Sequence, residues 1–108
     1  MNAVMIGRRP VGPDRIFIAL ELGATHGGLA SIRRLLKEAA SAGADGAKFQ
    51  TVWAHEFMVR DDGTEVEYET VEGHRRESIW TALQRRELSE AEWRDVRQMC
   101  TDLGLAFL

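Results

Sequence analysis

Three pieces of one stretch decide how this chain is read: Ile16-Phe-Ile-Ala-Leu-Glu-Leu22, Gly23-Ala-Thr-His-Gly-Gly28 and Gly46-Ala-Lys-Phe-Gln-Thr51, the last two joined by an amphipathic segment. The first is a short apolar run bounded by Pro13-Asp14 and Gly23, which predicts a buried strand over 16–22. Its near-continuous apolarity predicts cover on both faces, as in a parallel sheet. Over 29–42, Ile32, Leu35, Leu36, Ala39 and Ala40 recur at the spacing of one helical stripe, and Gly43 follows as a stop. The segment over 46–51 then reads as a second strand. Strand, helix and strand with loops this short imply a parallel pair with a right-handed crossover.

Polar groups stand where these strands end. Residues two apart on a strand share a face, so Lys48 and Gln50 point one way and Phe49 the other. With Phe49 under the helices, Lys48 and Gln50 face the interior of a barrel near the strand's C-terminal end, where such folds keep their sites. The plainer alternative is an exposed strand face with a solvated lysine. Glu21 closes the first apolar run, and a carboxylate there is costly unless hydrogen-bonded or bound. It orients a substrate hydroxyl, ligates a metal, serves as acid or base, or pairs with Lys48 on the neighbouring strand.

Gly23, Gly27 and Gly28 let the backbone turn tightly and approach a ligand, and Gly27-Gly28 precede a helix N-terminus, where amides can bind anions, but the loop matches neither a Walker A loop nor the dinucleotide fingerprint. Thr25 is the expected cap of the helix. His26 is either a proton-transfer group or a satisfied structural histidine. His55 and His74 lie in a polar region without ligand-type spacing and read as surface residues. Trp53, Trp80 and Trp93 read as packing aromatics, and Cys100 as a buried thiol.

The bulk composition sets bounds. A chain of 108 residues holds one small domain. The 14 Lys+Arg against 17 Asp+Glu give a net charge of −3, which offers no field for nucleic acid or an anionic membrane. A single cysteine makes no internal disulfide, and a reducing cytoplasm is the simplest setting. The seven-residue apolar run is neither a signal peptide nor a membrane span.

Residues 1–15 read as an extended segment or hairpin closing one end of the domain. Residues 52–76 read as a flap-like loop, with a solvated hairpin or a lid as its two forms: Arg60-Asp-Asp-Gly63 signals a turn, and Val66, Tyr68 and Thr70 alternate with Glu65, Glu67 and Glu69. A short helix is expected over 77–87. Ser89-Glu-Ala-Glu92 is a capping box opening a helix with Trp93, Val96, Cys100 and Leu103 on one stripe, ended by Gly104. Leu105-Ala-Phe-Leu108 then begins a third strand. About three parallel strands with helices predict an α/β fold that opens a (β/α)8 TIM barrel, incomplete on its own because such a barrel takes about 250 residues. Its sheet is expected to be completed by further chain or by pairing with another chain, in a homo-oligomer or with a partner subunit.

Glu21-Leu-Gly-Ala-Thr-His-Gly-Gly28, Ala42-Gly-Ala-Asp-Gly-Ala-Lys-Phe-Gln-Thr51, Leu88-Ser89 and Leu103-Gly-Leu-Ala-Phe-Leu108 together resemble the start of the sialic acid synthase (N-acetylneuraminate synthase) family. The resemblance implies the N-terminal portion of a catalytic TIM barrel, residues 1–108. It implies a carbohydrate-biosynthetic transferase that condenses phosphoenolpyruvate with an N-acetylated hexosamine, using a divalent metal, Mn or Mg. Lys48 and Gln50 match positions that hold phosphoenolpyruvate; Glu21 matches a first-strand active-site carboxylate, and His26 the histidine of the family's loop. Leu20 and Thr25 depart from the alanine and asparagine usual there. The family's metal-binding histidines lie beyond the matching part, so this chain alone is expected to carry a partial site. The alternative is a non-catalytic remnant that binds a small anion or a partner synthase subunit.

Overall fold

The computed structural model describes residues 3–108, so the first two residues of the extended segment expected over 1–15 lie outside the described residues. The chain forms two compact units, one running to Gln50 and resuming at Leu88, the other spanning Thr51–Glu87.

In the first unit, β1 (Val4–Ile6) and β2 (Arg9–Val11) pair as an antiparallel hairpin. The strands β3 (Ala19–Gly23), β4 (Gly46–Phe49) and β7 (Ala106–Phe107) form a parallel sheet in the order β3-β4-β7. Helix α1 (Leu29–Ser41) links β3 to β4, and α4 (Glu90–Asp102) leads into β7. The expected stripe holds: Ile32, Leu36 and Ala39 are buried on α1, and Trp93, Val96 and Cys100 on α4. They meet Leu22, Ala47, Phe49 and Leu105 in one core, whose burial is the main force holding this layer to the sheet.

Both helices end in the same way. After α1, the Ala44 N–H donates to the Ala39 carbonyl (3.0 Å) and the Gly43 N–H to that of Ala40 (3.1 Å). After α4, Leu105 and Gly104 repeat the pattern on Cys100 and Thr101 at 2.8 and 3.1 Å. These are Schellman ends, each built on a glycine with positive φ, +85° at Gly43 and +71° at Gly104. Each turns the chain directly into a strand. At the start of α4, the capping box is present in full: the Ser89 hydroxyl accepts from the Glu92 amide, and Glu92 accepts from the Ser89 amide at 2.7 Å.

The first strand departs from expectation at its entry. It starts at Ala19, not Ile16, and Ile16 and Ile18 are 82% and 59% exposed, with Leu20 at 37%. The expected cover on both faces is therefore absent at this end. β3 lies at the sheet's edge, and of its residues Leu22 alone is buried. The ladder pairs Ala19 with Gly46, Leu20 with Ala47 and Glu21 with Lys48; a register shift follows, and Gly23 pairs with Phe49. One extra residue, Leu22, thus sits opposite the Lys48–Phe49 step, as in a bulge.

The second unit contains α2 (Ala54–Phe57), an antiparallel hairpin of β5 (Glu65–Thr70) and β6 (Gly73–Ser78), and α3 (Ile79–Gln84). The turn signal at Arg60–Gly63 lies on the approach to the hairpin, where Asp61 and Asp62 accept the amides of Gly63 and Thr64 in successive Asx-type bonds and Gly63 has φ +75°. The tight turn is Val71-Glu72, braced by the Thr70 hydroxyl on the Gly73 carbonyl (2.8 Å). The helix expected from Glu77 begins at Ile79, because Glu77 and Ser78 are still in β6 and Ser78 caps the helix. On one hairpin face Glu65 pairs with Arg76 (2.5 Å) and Glu69 with His74 (2.9 Å). On the other, the Tyr68 hydroxyl and the Arg85 guanidinium both donate to Glu77.

Candidate functional site

Because side chains alternate along β4, Ala47 and Phe49 are buried on the helix side and Lys48 emerges on the opposite face. The parallel register puts Glu21 beside it. The Lys48 Nζ donates to Glu21 Oε2 at 2.5 Å, and the two side chains are 50% and 53% exposed. The Lys48 hydrogen bond holds the Glu21 carboxyl below the usual carboxylate range, helped by the lysine charge and the Gly23 amide and opposed by partial desolvation.

Gly23 is the hub of this face. Its φ is +57°, and a Cβ there would stand 3.6 Å from Glu21 Oε1 and 3.7 Å from Gln50 Oε1. Its carbonyl accepts the Gln50 amide at 3.0 Å. Those Cβ distances are ordinary contact distances, so it is the left-handed backbone, not crowding, that calls for glycine where the strand ends between the two side chains. Glu21, Lys48 and Gln50 are thus gathered at the C-terminal ends of two adjacent parallel strands: a cation, a carboxylate and an amide, half open to solvent. Such a set can neutralise an anion with the ammonium, orient it with the amide, and accept or return a proton at the carboxylate.

His26 has a different setting. It is buried, its Nδ1 accepts the Gly28 amide at 3.1 Å, and its ring meets Trp93 edge-to-face at 6.1 Å. Trp93 in turn meets Phe49 at 5.6 Å, so these contacts tie the loop to the helix-side core. With Nδ1 accepting, the neutral ring carries its proton on Nε2. Thr25, expected as the cap of α1, is exposed; the N-cap is Gly28, with no side-chain bond. His26 reaches the Gly28 amide in its place.

Of the remaining candidates, His74 belongs to the hairpin's charge ladder, and Trp53 precedes α2, whose first amide is accepted by Glu87 at 2.8 Å. Cys100 is buried, which pushes its thiol up to about 11 and leaves it unreactive. A cleft of about 570 Å³, lined in part by Arg8, Arg97, Thr101 and Phe107, includes none of Glu21, His26, Lys48 and Gln50, so concavity alone does not mark the gathered site. Among the described residues no group of three or more His, Cys, Asp and Glu side chains could hold a metal ion. The divalent metal implied by the resemblance therefore does not fit the described residues. No helix among the described residues is long and apolar enough to cross a membrane.

The sequence marks Gly23 as a glycine that lets the backbone turn and approach a ligand, but not its place between Glu21 and Gln50; Asp45 reads only as part of a tight turn, whereas its carboxylate accepts the Ile18 amide. The signal for the first is the lone glycine directly after a strand carboxylate. For the second, it is an aspartate just ahead of a strand.

Comparison with known proteins bears on this geometry. The family model described as the NeuB family matches residues 35–108. A search of curated proteins finds no match. Among solved structures, the N-acetylneuraminic acid (sialic acid) synthetase of Leptospira borgpetersenii serovar Hardjo-bovis, in complex with citrate, superposes with a TM-score of 0.71 at 23% identity, covering 98% of this chain and 33% of that one. The spore coat polysaccharide biosynthesis protein spsE of Bacillus subtilis superposes with a TM-score of 0.64 at 28% identity, covering 98% of this chain and 26% of that one. The chain thus spans about a third or a quarter of the length of these relatives.

Proposed function

We propose, from the premise that the chain belongs to the NeuB family, that it is part of a phosphoenolpyruvate-dependent synthase of sialic or related nonulosonic acids. On this reading residues 1–108 are the N-terminal part of a (β/α)8 barrel. Residues 1–15 are its leading extended segment and 52–76 its flap-like connection. The whole enzyme condenses phosphoenolpyruvate with an N-acetylated hexosamine in the cytoplasm. C3 of phosphoenolpyruvate forms the new bond to the sugar's aldehyde carbon, water adds at C2, and phosphate leaves. A divalent metal is part of the family chemistry, and its ligand set is not assigned to this chain.

The observation that carries the reading is the grouping of Glu21, Lys48 and Gln50 on one face at the C-terminal ends of β3 and β4. Lys48 supplies the charge that neutralises phosphoenolpyruvate, and Gln50 positions it. Glu21 holds or moves a proton, or orients a sugar hydroxyl. His26, buried behind the loop, holds the loop's shape through Gly28 and is the imidazole proposed to serve the same chemistry.

Titrating phosphoenolpyruvate into the wild-type chain and into Lys48→Met tests this. A loss of affinity of about tenfold or more in the variant is expected, the cost of removing one charge-assisted contact. Equal affinity in the two proteins would remove Lys48 from the site and the reading with it.

A second reading rests on the sheet edges. β3 and β7 are both edge strands, and Ile16, Ile18, Phe107 and Leu108 are exposed around them, a surface suited to pairing with a second copy or a partner synthase subunit. Light scattering after size exclusion separates the two: a stable monomer at high concentration argues against edge pairing between copies.

A further inference from the structure

We infer that Asp45 is a positioning residue for the carboxylate–lysine pair, its side chain fixing the strand register that stands Glu21 opposite Lys48. Asp45 lies just before β4, 14% exposed, where three strands enter the sheet. Its Oδ2 accepts the Ile18 amide at 3.0 Å, and its own amide donates to the Ile18 carbonyl at 2.8 Å. Its carbonyl accepts the Ala106 amide at 2.9 Å. Oδ1 stands 3.7 Å from Arg9 Nε, and the Arg9 guanidinium donates to the Gly104 carbonyl at 3.2 Å. One residue therefore ties these elements together: its carboxylate holds the entry to β3 and faces Arg9 of the β1–β2 hairpin, and its backbone holds Ile18 and the start of β7.

The register needs such a tie. Side chains alternate with a period of two, so a slip of one residue would carry Glu21 to the helix face. Burial normally prevents this, but Ile16 and Ile18 are largely exposed and Leu20 is only partly covered. The apolar pattern therefore pins the entry of β3 weakly. What fixes it there is the set of bonds to Ile18: its carbonyl accepts the Asp45 and Gly46 amides at 2.8 and 3.2 Å, and its amide donates to the Asp45 carboxylate, the bond that the side chain supplies. From that anchor, Ala19 falls opposite Gly46 and Glu21 opposite Lys48. The inference concerns the geometry of the pair and does not depend on the substrate.

The test is a carboxyl-carbon NMR titration of Glu21 in the 108-residue chain, with thermal unfolding measured alongside. In the wild type Glu21 should titrate below the ordinary carboxylate range. In Asp45→Ala its midpoint should return toward that range. In Val96→Ala, which weakens the core away from the junction, it should stay depressed despite a comparable loss of stability. A folded Asp45→Ala with Glu21 still depressed, or an equal rise in Val96→Ala, would overturn the inference. Where Asp45→Ala does not fold, Asp45→Asn is read instead, since it keeps an acceptor for Ile18 and loses the charge facing Arg9. A folded Asn variant with Glu21 still depressed is then expected, and an unfolded one, or one with Glu21 back in the ordinary range, would overturn the proposal.

Discussion

Glu21 and Lys48 face each other across two parallel strands, Oε2 and Nζ 2.5 Å apart, although both side chains are half exposed. The lysine keeps the carboxyl ionised to lower pH than usual. Because the folded value is depressed, the pair contributes stability above the unfolded carboxyl's pKa and loses it as pH falls through the folded one. Lys48→Met should therefore raise the Glu21 midpoint with little change in stability at neutral pH, as exposed pairs contribute little. An NMR titration of Glu21 in the two proteins checks this, and an unmoved midpoint would contradict it.

Gly46 should not tolerate a side chain. A Cβ there would lie 2.8 Å from Phe17 Cζ and 3.1 Å from the Ala106 carbonyl oxygen. Gly46→Ala is expected to lower stability by about 1–3 kcal/mol, the usual scale of overpacking. Adding Phe17→Ala should recover part of that loss in urea unfolding, because one of the two obstructions is then gone. Gly12→Ala, with nothing within 4 Å of its Cβ, serves as the matched control.

The Ser89–Glu92 capping box predicts a cost of about 0.5–2 kcal/mol for Ser89→Ala, read from the urea midpoint. Glu92→Gln should cost less, since an amide oxygen can still accept the Ser89 amide. A larger loss in the glutamine variant would mean that charge, not the reciprocal bonds, holds the helix start.

Glu77 should titrate at about 2, held down first by the hydrogen bond from Arg85 and then by that from Tyr68. The same linkage applies: its contribution is present above the ordinary carboxylate value and is lost as pH falls through about 2. Arg85→Met should move the Glu77 midpoint up toward the ordinary value, and Tyr68→Phe should move it less. The reverse order of effects would show that the hydroxyl, not the guanidinium, dominates.

What the sequence made legible was whatever is written as period or punctuation. The stripe Ile32, Leu36, Ala39, the stops at Gly43 and Gly104 and the box at Ser89 each follow from local chemistry, and each is found. The shared face of Lys48 with Glu21 was legible only as one of several alternatives, because it depends on register, which a single strand does not carry. The hairpin of β5 and β6 was legible as one form of the flap, but the extent of β6 was not: Gly73-His-Arg-Arg-Glu-Ser78 has no apolar alternation, and its place is set by the antiparallel ladder to β5, along which exposed charges pair. Ile16 and Ile18 misled in the opposite direction, being apolar and yet exposed, since β3 lies at the edge of the sheet. The cap of α1 escaped as well, because His26, two residues before Gly28, makes the contact expected of Thr25.

The most direct test of the proposed anion site is a map of amide and side-chain NMR shifts in the isotope-labelled chain as phosphoenolpyruvate is added. Shifts centred on Gly23, Lys48 and Gln50, and lost in Lys48→Met, are the predicted result. Shifts centred instead on the cleft beside Arg8 and Arg97, or the same map in the Lys48 variant, would contradict it.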